Sequence, residues 1–281
     1  MWWRSSASSA PSISPSGSEV ADARAAARAL VDARLQRRRL PMLTGDLAPA
    51  DSAAGYSIQA EHQRLLQAEC EAGPAVGYKI GCTNKTAQAQ LGIDSPFVGR
   101  LYAAYVYESP AAIAADLCFM RMIEAEVAFR VARDLPPKSG GYAPDELLVA
   151  VDQAMPALEI VDSRYADRTT AGAPLIIADN ASAGLWVHGA PGETDGIDWS
   201  DHPVQVYRNG APAESGNTGN VLGSPLNAFA WLTAFLAERG ETLPAGQYVT
   251  TGTTIPVNGA EAGDTIRADF GTLGSVEVSF A

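Results

Sequence analysis

"RMIEAEVAFRV", residues 121–131, alternates with period two. Ile123, Ala125, Val127, Phe129 and Val131 fall on one face of a strand, Glu124 and Glu126 on the other. Two carboxylates side by side on a pleat repel, so both stay ionised only if a cation or strong donors sit between them. Spacing alone leaves two readings open: a half-exposed strand whose solvent face is acidic, or a strand that holds a cation.

Around this strand the chain has the texture of a mixed, mostly antiparallel α+β domain. Short apolar runs punctuated by Gly, Pro, Asn and Asp predict strands over 76–80, 122–131, 157–161, 184–188, 204–208, 248–251, 265–270 and 275–280. One helix is expected after Pro144, ending before Pro156, and another from Ser224-Pro225 to Gly240. Ahead of the strands, residues 19–40 have helical spacing, with Val20, Ala27, Leu30, Val31 and Leu35 sharing a face and Pro41 stopping the run. A second helix is expected over 52–72, capped by Asp51, with Leu65 and Leu66 inward and Gly73-Pro74 beyond its end. The expected division is an arm over 1–18, a helical segment over 19–75 and a catalytic domain over 76–281.

Composition narrows the function. Of 281 residues, 47% are hydrophobic, enough for a sizeable core, and the formal charge is −12. No basic run or aromatic-basic interleaving occurs, which argues against nucleic acid, and an acidic surface repels anionic lipid. No apolar run approaches the length of a membrane helix. Cys70, Cys82 and Cys118 match no CxxC spacing, which argues against a disulfide framework or zinc site and for a reducing, cytoplasmic compartment. "MWWRSSASSAPSISPSGS", residues 1–18, lacks the apolar segment of a signal peptide. Its Ser and Pro content reads as a disordered arm or a start placed too early, with a transit peptide as the alternative.

His62, His188 and His202 are far apart and fit no HExxH or HxH pattern, so they read as structural or exposed. The glycines of "SGNTGNVLGSP" (215–225) are followed by no Lys and are not a phosphate loop. Carboxylates therefore carry the signal. "PALEIVDSR" (156–164) places Glu159 in another apolar run, and three acids without His or Cys favour Mg²⁺ or Mn²⁺ over Zn²⁺. In "VGYKIGCT" (76–83), Lys79 lies between Gly77 and Gly81. Buried there, it would have a lowered pKa suited to proton transfer; the other reading is a side chain that snorkels outward. "VTTGTT" (249–254) surrounds Gly252 with Thr250, Thr251, Thr253 and Thr254, and such a turn can present hydroxyls and backbone N–H groups to a carboxylate. Thr251, Gly252 and Thr253 are candidate substrate contacts, as is Asn180 in the polar cluster "ADNAS" (178–182).

In this order, "GYKIGCT", "QLGIDSPFVGRL", "IEAEVAFRVARDLP", "PALEIVDSR", "ADNASAG", "VLGSPLNAFAWL", "AGQYVTTGTT" and "LGSVEVSF" resemble the 2-keto-4-pentenoate hydratase family, within the fumarylacetoacetate hydrolase superfamily. The resemblance implies a mixed β-roll core of the fumarylacetoacetate hydrolase C-terminal type with an N-terminal helical layer. It further implies one Mg²⁺ or Mn²⁺ held by Glu124, Glu126 and Glu159, with Lys79 as the active-site lysine and Ser182 as a substrate-contacting serine. The implied activity is hydration of a 2-hydroxy-2,4-dienoate to a 4-hydroxy-2-oxo acid in aromatic or related catabolism, by a homo-oligomer. Decarboxylation of a 4-oxalocrotonate would use the same enolate chemistry, as would C–C hydrolysis of an acylpyruvate, although the H-x-x-E pair of such hydrolases is missing. Two positions depart from the family pattern. Phe97 stands where many hydratases carry an acid, with Asp94 three residues earlier, and Ser224 stands where His is usual.

Overall fold

A computed structural model describes residues 17–69 and 71–281, the side chains of 17–21 excepted. The arm expected over 1–18 lies outside the described residues except for its last two, which open the first helix; the side chain of Val20 and Cys70 also lie outside them.

Two helices, α1 (Gly17–Leu35) and α2 (Ser52–Glu69), form the N-terminal layer. Asp51 Oδ1 accepts the Ala54 N–H at 2.9 Å and so caps α2, as its position predicts. Ala27, Leu30 and Val31 pack inward with Leu65 and Leu66, but Leu35 is 51% exposed. It is the last residue of α1, which stops short of the expected 40, so the apolar stripe runs out before reaching it.

The first sheet comprises β1 (Ala75–Gly81), β2 (Phe97–Tyr102), β3 (Val106–Glu108), β5 (Met122–Val131), β6 (Val151–Val161), β7 (Ala183–His188), β10 (Tyr248–Thr253) and the two-residue β11 (Asn258–Gly259). Its order is β2-β1-β10-β5-β6-β7-β3, with β11 beside β5. The second has β4 (Ala111–Ile113), β8 (Pro203–Arg208), β9 (Ala211–Asn217), β12 (Thr265–Asp269) and β13 (Ser275–Phe280), in the order β4-β13-β12-β8-β9. Only β1–β10, β3–β7 and β4–β13 pair parallel, so the sheets are mixed and mostly antiparallel, as expected. The core lies between them: Ile123, Ala125, Val127, Phe129 and Val131 of β5 are buried in one cluster with Leu158, Ile160, Ala268, Val276 and Val278. That burial drives the fold, each fully covered large apolar side chain contributing roughly 1.5–3 kcal/mol.

The helices α3 (Lys85–Leu91), α4 (Pro144–Leu148), α5 (Ala173–Ala178) and α6 (Pro225–Ala237) fill the connections. Ser224 caps α6 through its hydroxyl, which accepts the Leu226 N–H at 3.3 Å, so the serine in place of the usual histidine suits this helix start. The helix expected from Pro144 to Pro156 is a single short turn. From Val151 onward the chain is β6, because the ten residues of β5 pair along it from Met122↔Val161 to Val131↔Val151. Pairing with a central strand overrides the helical start signal. The short strands β2, β3, β4, β9 and β11 carry too little alternation to be read from sequence.

Candidate metal centre and active site

The face of β5 opposite the core carries Glu124 and Glu126. Antiparallel register sets Glu124 directly opposite Glu159 and Glu126 opposite Ala157, so three carboxylates converge on one patch of sheet. One oxygen from each lies within 4.8 Å of the others. Glu126 and Glu159 are buried and Glu124 half-buried, which decides against a merely solvent-facing acidic strand.

Unpartnered, this arrangement is unfavourable. Like charges facing each other on a ladder repel, and burial removes the water that would screen them. Burial, with the neighbouring Glu159 and Glu124, holds the Glu126 carboxyl well above the usual range. Burial pushes Glu159 up to about 7, and the nearby Lys79 ammonium limits the rise. The Thr250 hydroxyl donates to Glu126 Oε2. Glu126 Oε1 and Glu159 Oε2 are buried and accept no hydrogen bond from the described residues. An all-oxygen set with unmet lone pairs fits a hard divalent ion, whose octahedral ligands at about 2.0–2.1 Å span a comparable space.

Lys79 lies on β1, separated from β5 by β10. Its Nζ stands 3.1 Å from Glu159 Oε1 and donates to the Ala181 carbonyl at 3.0 Å. It is buried rather than snorkelling, yet burial does not lower its pKa: desolvation is outweighed by Glu159, Glu124 and Glu126, and the pKa is raised. The local apolar sequence carries no sign of that field. Gly99, opposite Lys79 on β2, leaves the room this requires, because a Cβ there would stand 2.5 Å from Asn180 O and 3.1 Å from Lys79 Cδ.

Ala181 belongs to three successive residues with positive φ, Asn180 (51°), Ala181 (56°) and Ser182 (57°). Such backbone costs on the order of 1–3 kcal/mol per residue and persists only where its surroundings hold it. Here Asp179 holds it: its carboxylate accepts from Ser163 Oγ at 3.1 Å, Arg164 N at 3.0 Å and Arg164 Nε at 2.6 Å. The Asn180 amide donates to and accepts from the Arg100 backbone, both at 2.9 Å, which ties the loop to β2. Asn180 therefore sits beside the lysine with its side chain committed to protein. Ser182 Oγ accepts from Arg168 Nε at 3.1 Å. Nothing in the sequence around Arg168 marks it as part of the site.

The threonine turn closes another side. Thr251 Oγ1 donates to Val127 O and Thr253 Oγ1 to Ile255 O, both at 2.8 Å. Gly252 has φ 105° and lies against Thr83, whose hydroxyl would collide with any side chain there. Of the four threonines, Thr250 makes the contact with the acidic centre. Phe97 pairs with Gly81 as Gly99 pairs with Lys79, so its ring shares a face with the lysine and packs on Gly81. Asp94 is exposed and lines a separate cleft of about 850 Å³ with Tyr56, Phe97, Trp231, Phe235 and Arg239. None of the three glutamates nor Lys79 lines that cleft, so it is not where the charged groups converge.

The profile described as fumarylacetoacetate (FAA) hydrolase C-terminal matches residues 80–281. The chain is 36% identical to 2-keto-4-pentenoate hydratase 1 of Dechloromonas aromatica (strain RCB), over 92% of this chain and 96% of that one. It is 31% identical to a 4-oxalocrotonate decarboxylase of Pseudomonas putida, over 91% and 96%. Among solved structures, 4-oxalocrotonate decarboxylase from Pseudomonas putida G7, complexed with magnesium and adipate, superposes with a TM-score of 0.85 at 29% identity, covering 93% of this chain and 98% of that one.

Proposed function

This chain belongs to the fumarylacetoacetate hydrolase family, and on that premise we propose that it is a divalent-metal-dependent hydratase of 2-hydroxy-2,4-dienoates. The observation that carries the proposal is the convergence of Glu124, Glu126 and Glu159 beside a buried Lys79, with carboxylate oxygens left unmet among the described residues. A Mg²⁺ or Mn²⁺ ion held by the three glutamates would neutralise a 2-oxo or 2-enol carboxylate and stabilise charge developing on its 2-oxygen. Lys79, held between Glu159 and the Ala181 carbonyl, has its ammonium ready to donate to the same oxygen or to move a proton during tautomerisation. The conjugated ketone so formed accepts water at C4, giving a 4-hydroxy-2-oxo acid. Ser182 is assigned to substrate contact. Asn180, with Thr251, Gly252 and Thr253, is assigned to shaping the walls. Cytoplasmic location and self-association belong to the same proposal and rest on the resemblance.

Decarboxylation of a 4-oxalocrotonate is the second reading. It is favoured by the ring of Phe97 on the lysine's face, where an acid would serve to handle water, and by the likeness to a decarboxylase over nearly the whole chain. An NMR time course with Mg²⁺ and fresh 2-hydroxypenta-2,4-dienoate, with an EDTA control, separates the two. Metal-dependent 4-hydroxy-2-oxopentanoate supports hydration. Its absence, together with CO₂ release from 2-oxohex-3-enedioate, transfers the proposal to decarboxylation.

A further inference from the structure

Arg168 is a half-buried cation, bonded to Ser182 and near enough to Glu159 for its charge to act on that carboxyl. It opens a one-turn helix, Arg168–Thr170, which Asp167 caps by accepting the Thr169 N–H at 3.1 Å. Among the described residues only Nε finds an acceptor, donating to Ser182 Oγ at 3.1 Å. No carboxylate among the described residues pairs with the guanidinium, and its two terminal nitrogens, without a protein acceptor, are not buried. Lys79 is committed to Glu159 and Arg164 to Asp179, while Arg34 donates to the Ala183 carbonyl and the Arg100 guanidinium stacks on the Tyr78 ring. Ser182 follows Ala181, whose carbonyl holds Lys79 Nζ, so Arg168 and Lys79 approach the centre along the same loop.

A planar guanidinium with one edge pinned and the other free is suited to bidentate capture of a carboxylate. The pinning removes much of the rotamer entropy that binding would otherwise cost. We propose that Arg168, oriented by the Ser182 hydroxyl, is a carboxylate-recognising residue of this active site. This rests on the reading of the site as one for 2-oxo or 2-enol acids, and it names a specificity residue within it. The carboxylate is either the one next to the 2-oxo group or a distal one.

Binding of saturated, unreactive analogues tests this without turnover. The probes are 2-oxopentanoate, with one carboxylate, and 2-oxohexanedioate, with a second at the far end, titrated calorimetrically into the Mg²⁺-loaded protein. Arg168→Met is expected to weaken binding about 10- to 100-fold, the range for losing charge-assisted hydrogen bonds, while Mn²⁺ affinity read by electron paramagnetic resonance stays within about twofold. Arg168→Lys should recover part of the loss. Weakening of both ligands assigns Arg168 to the carboxylate beside the oxo group; weakening of the dicarboxylate alone assigns it to the distal one. Unchanged binding of both, a parallel loss of Mn²⁺ affinity, or no binding of either by the wild-type protein would overturn the assignment. Failure of the hydratase reading alone would show as intact, Arg168-dependent binding without hydration.

Discussion

Glu124 and Glu159 face each other directly across the β5–β6 ladder, both on the side away from the core. A ladder that places like charges in register is destabilising unless something of opposite charge joins them. Lys79, 3.1 Å from Glu159, supplies part of that charge, and three carboxylates against this ammonium and the Arg168 guanidinium at the edge leave the centre short of cations.

Glu126→Gln should therefore separate stability from metal binding. The amide keeps the shape and can still accept from Thr250, but it removes a buried ionisable group whose raised pKa disfavours the fold at neutral pH, so the metal-free variant is expected to melt above the wild type. Wild-type protein at 100 times its Kd for Mg²⁺ gains about 2.7 kcal/mol, and the variant should gain little at the same concentration. Differential scanning calorimetry with and without Mg²⁺ measures both; equal metal-induced shifts would refute the ligand assignment.

Metal uptake should release protons. Burial pushes Glu159 up to about 7 and holds Glu126 well above the usual carboxylate range, so below about pH 7 an incoming cation displaces a proton and its affinity falls as pH falls. Titration calorimetry in buffers of different ionisation enthalpy reads the proton count, which is expected to be positive at pH 6.5. A pH-independent affinity between 6 and 8 would contradict this.

Lys79→Met is expected to lower kcat at least about 10²-fold, the usual size of an acid–base contribution, with Mn²⁺ affinity retained or improved. The ammonium competes with the ion for Glu159, so its loss does not weaken the metal. Breaking a buried ion pair typically costs about 3–5 kcal/mol, so stability is measured in parallel. Weaker metal binding with a normal kcat would make Lys79 structural.

Gly99→Ala probes the fit between Lys79 and its loop. The added methyl meets Asn180 O at 2.5 Å and Lys79 Cδ at 3.1 Å, so either the loop or the lysine must shift. The expected result is a fall in kcat with Mn²⁺ affinity intact, because none of the three glutamates is touched.

His62, buried in the helical layer, is held well below its ordinary pKa by burial and by the charges of Arg34 and Arg164. The unfolded chain binds this proton below about pH 6.5 and the folded one does not, so stability is lost as pH falls, by up to about 1.4 kcal/mol per unit. His62→Leu should flatten the fall in melting temperature between pH 6.5 and 5. An unchanged slope would show that other groups govern acid unfolding.

What the sequence determined by itself is local. Period-two alternation put Glu124 and Glu126 on one face because that spacing is intrinsic to a strand, and Asp51 and Ser224 announced helix starts because caps act within one turn. The ordered motifs added the family. The rest was decided by tertiary structure, because it lives in register and in fields that cross strands. Glu159 meets Glu124 through the pairing of β5 with β6, and that same pairing turned an expected helix after Pro144 into strand. Lys79 has a raised rather than lowered pKa because three carboxylates from other strands outweigh its burial. Arg168 reaches Ser182 only because the strained loop at 180–182 brings the hydroxyl to it, a contact that no local spacing encodes.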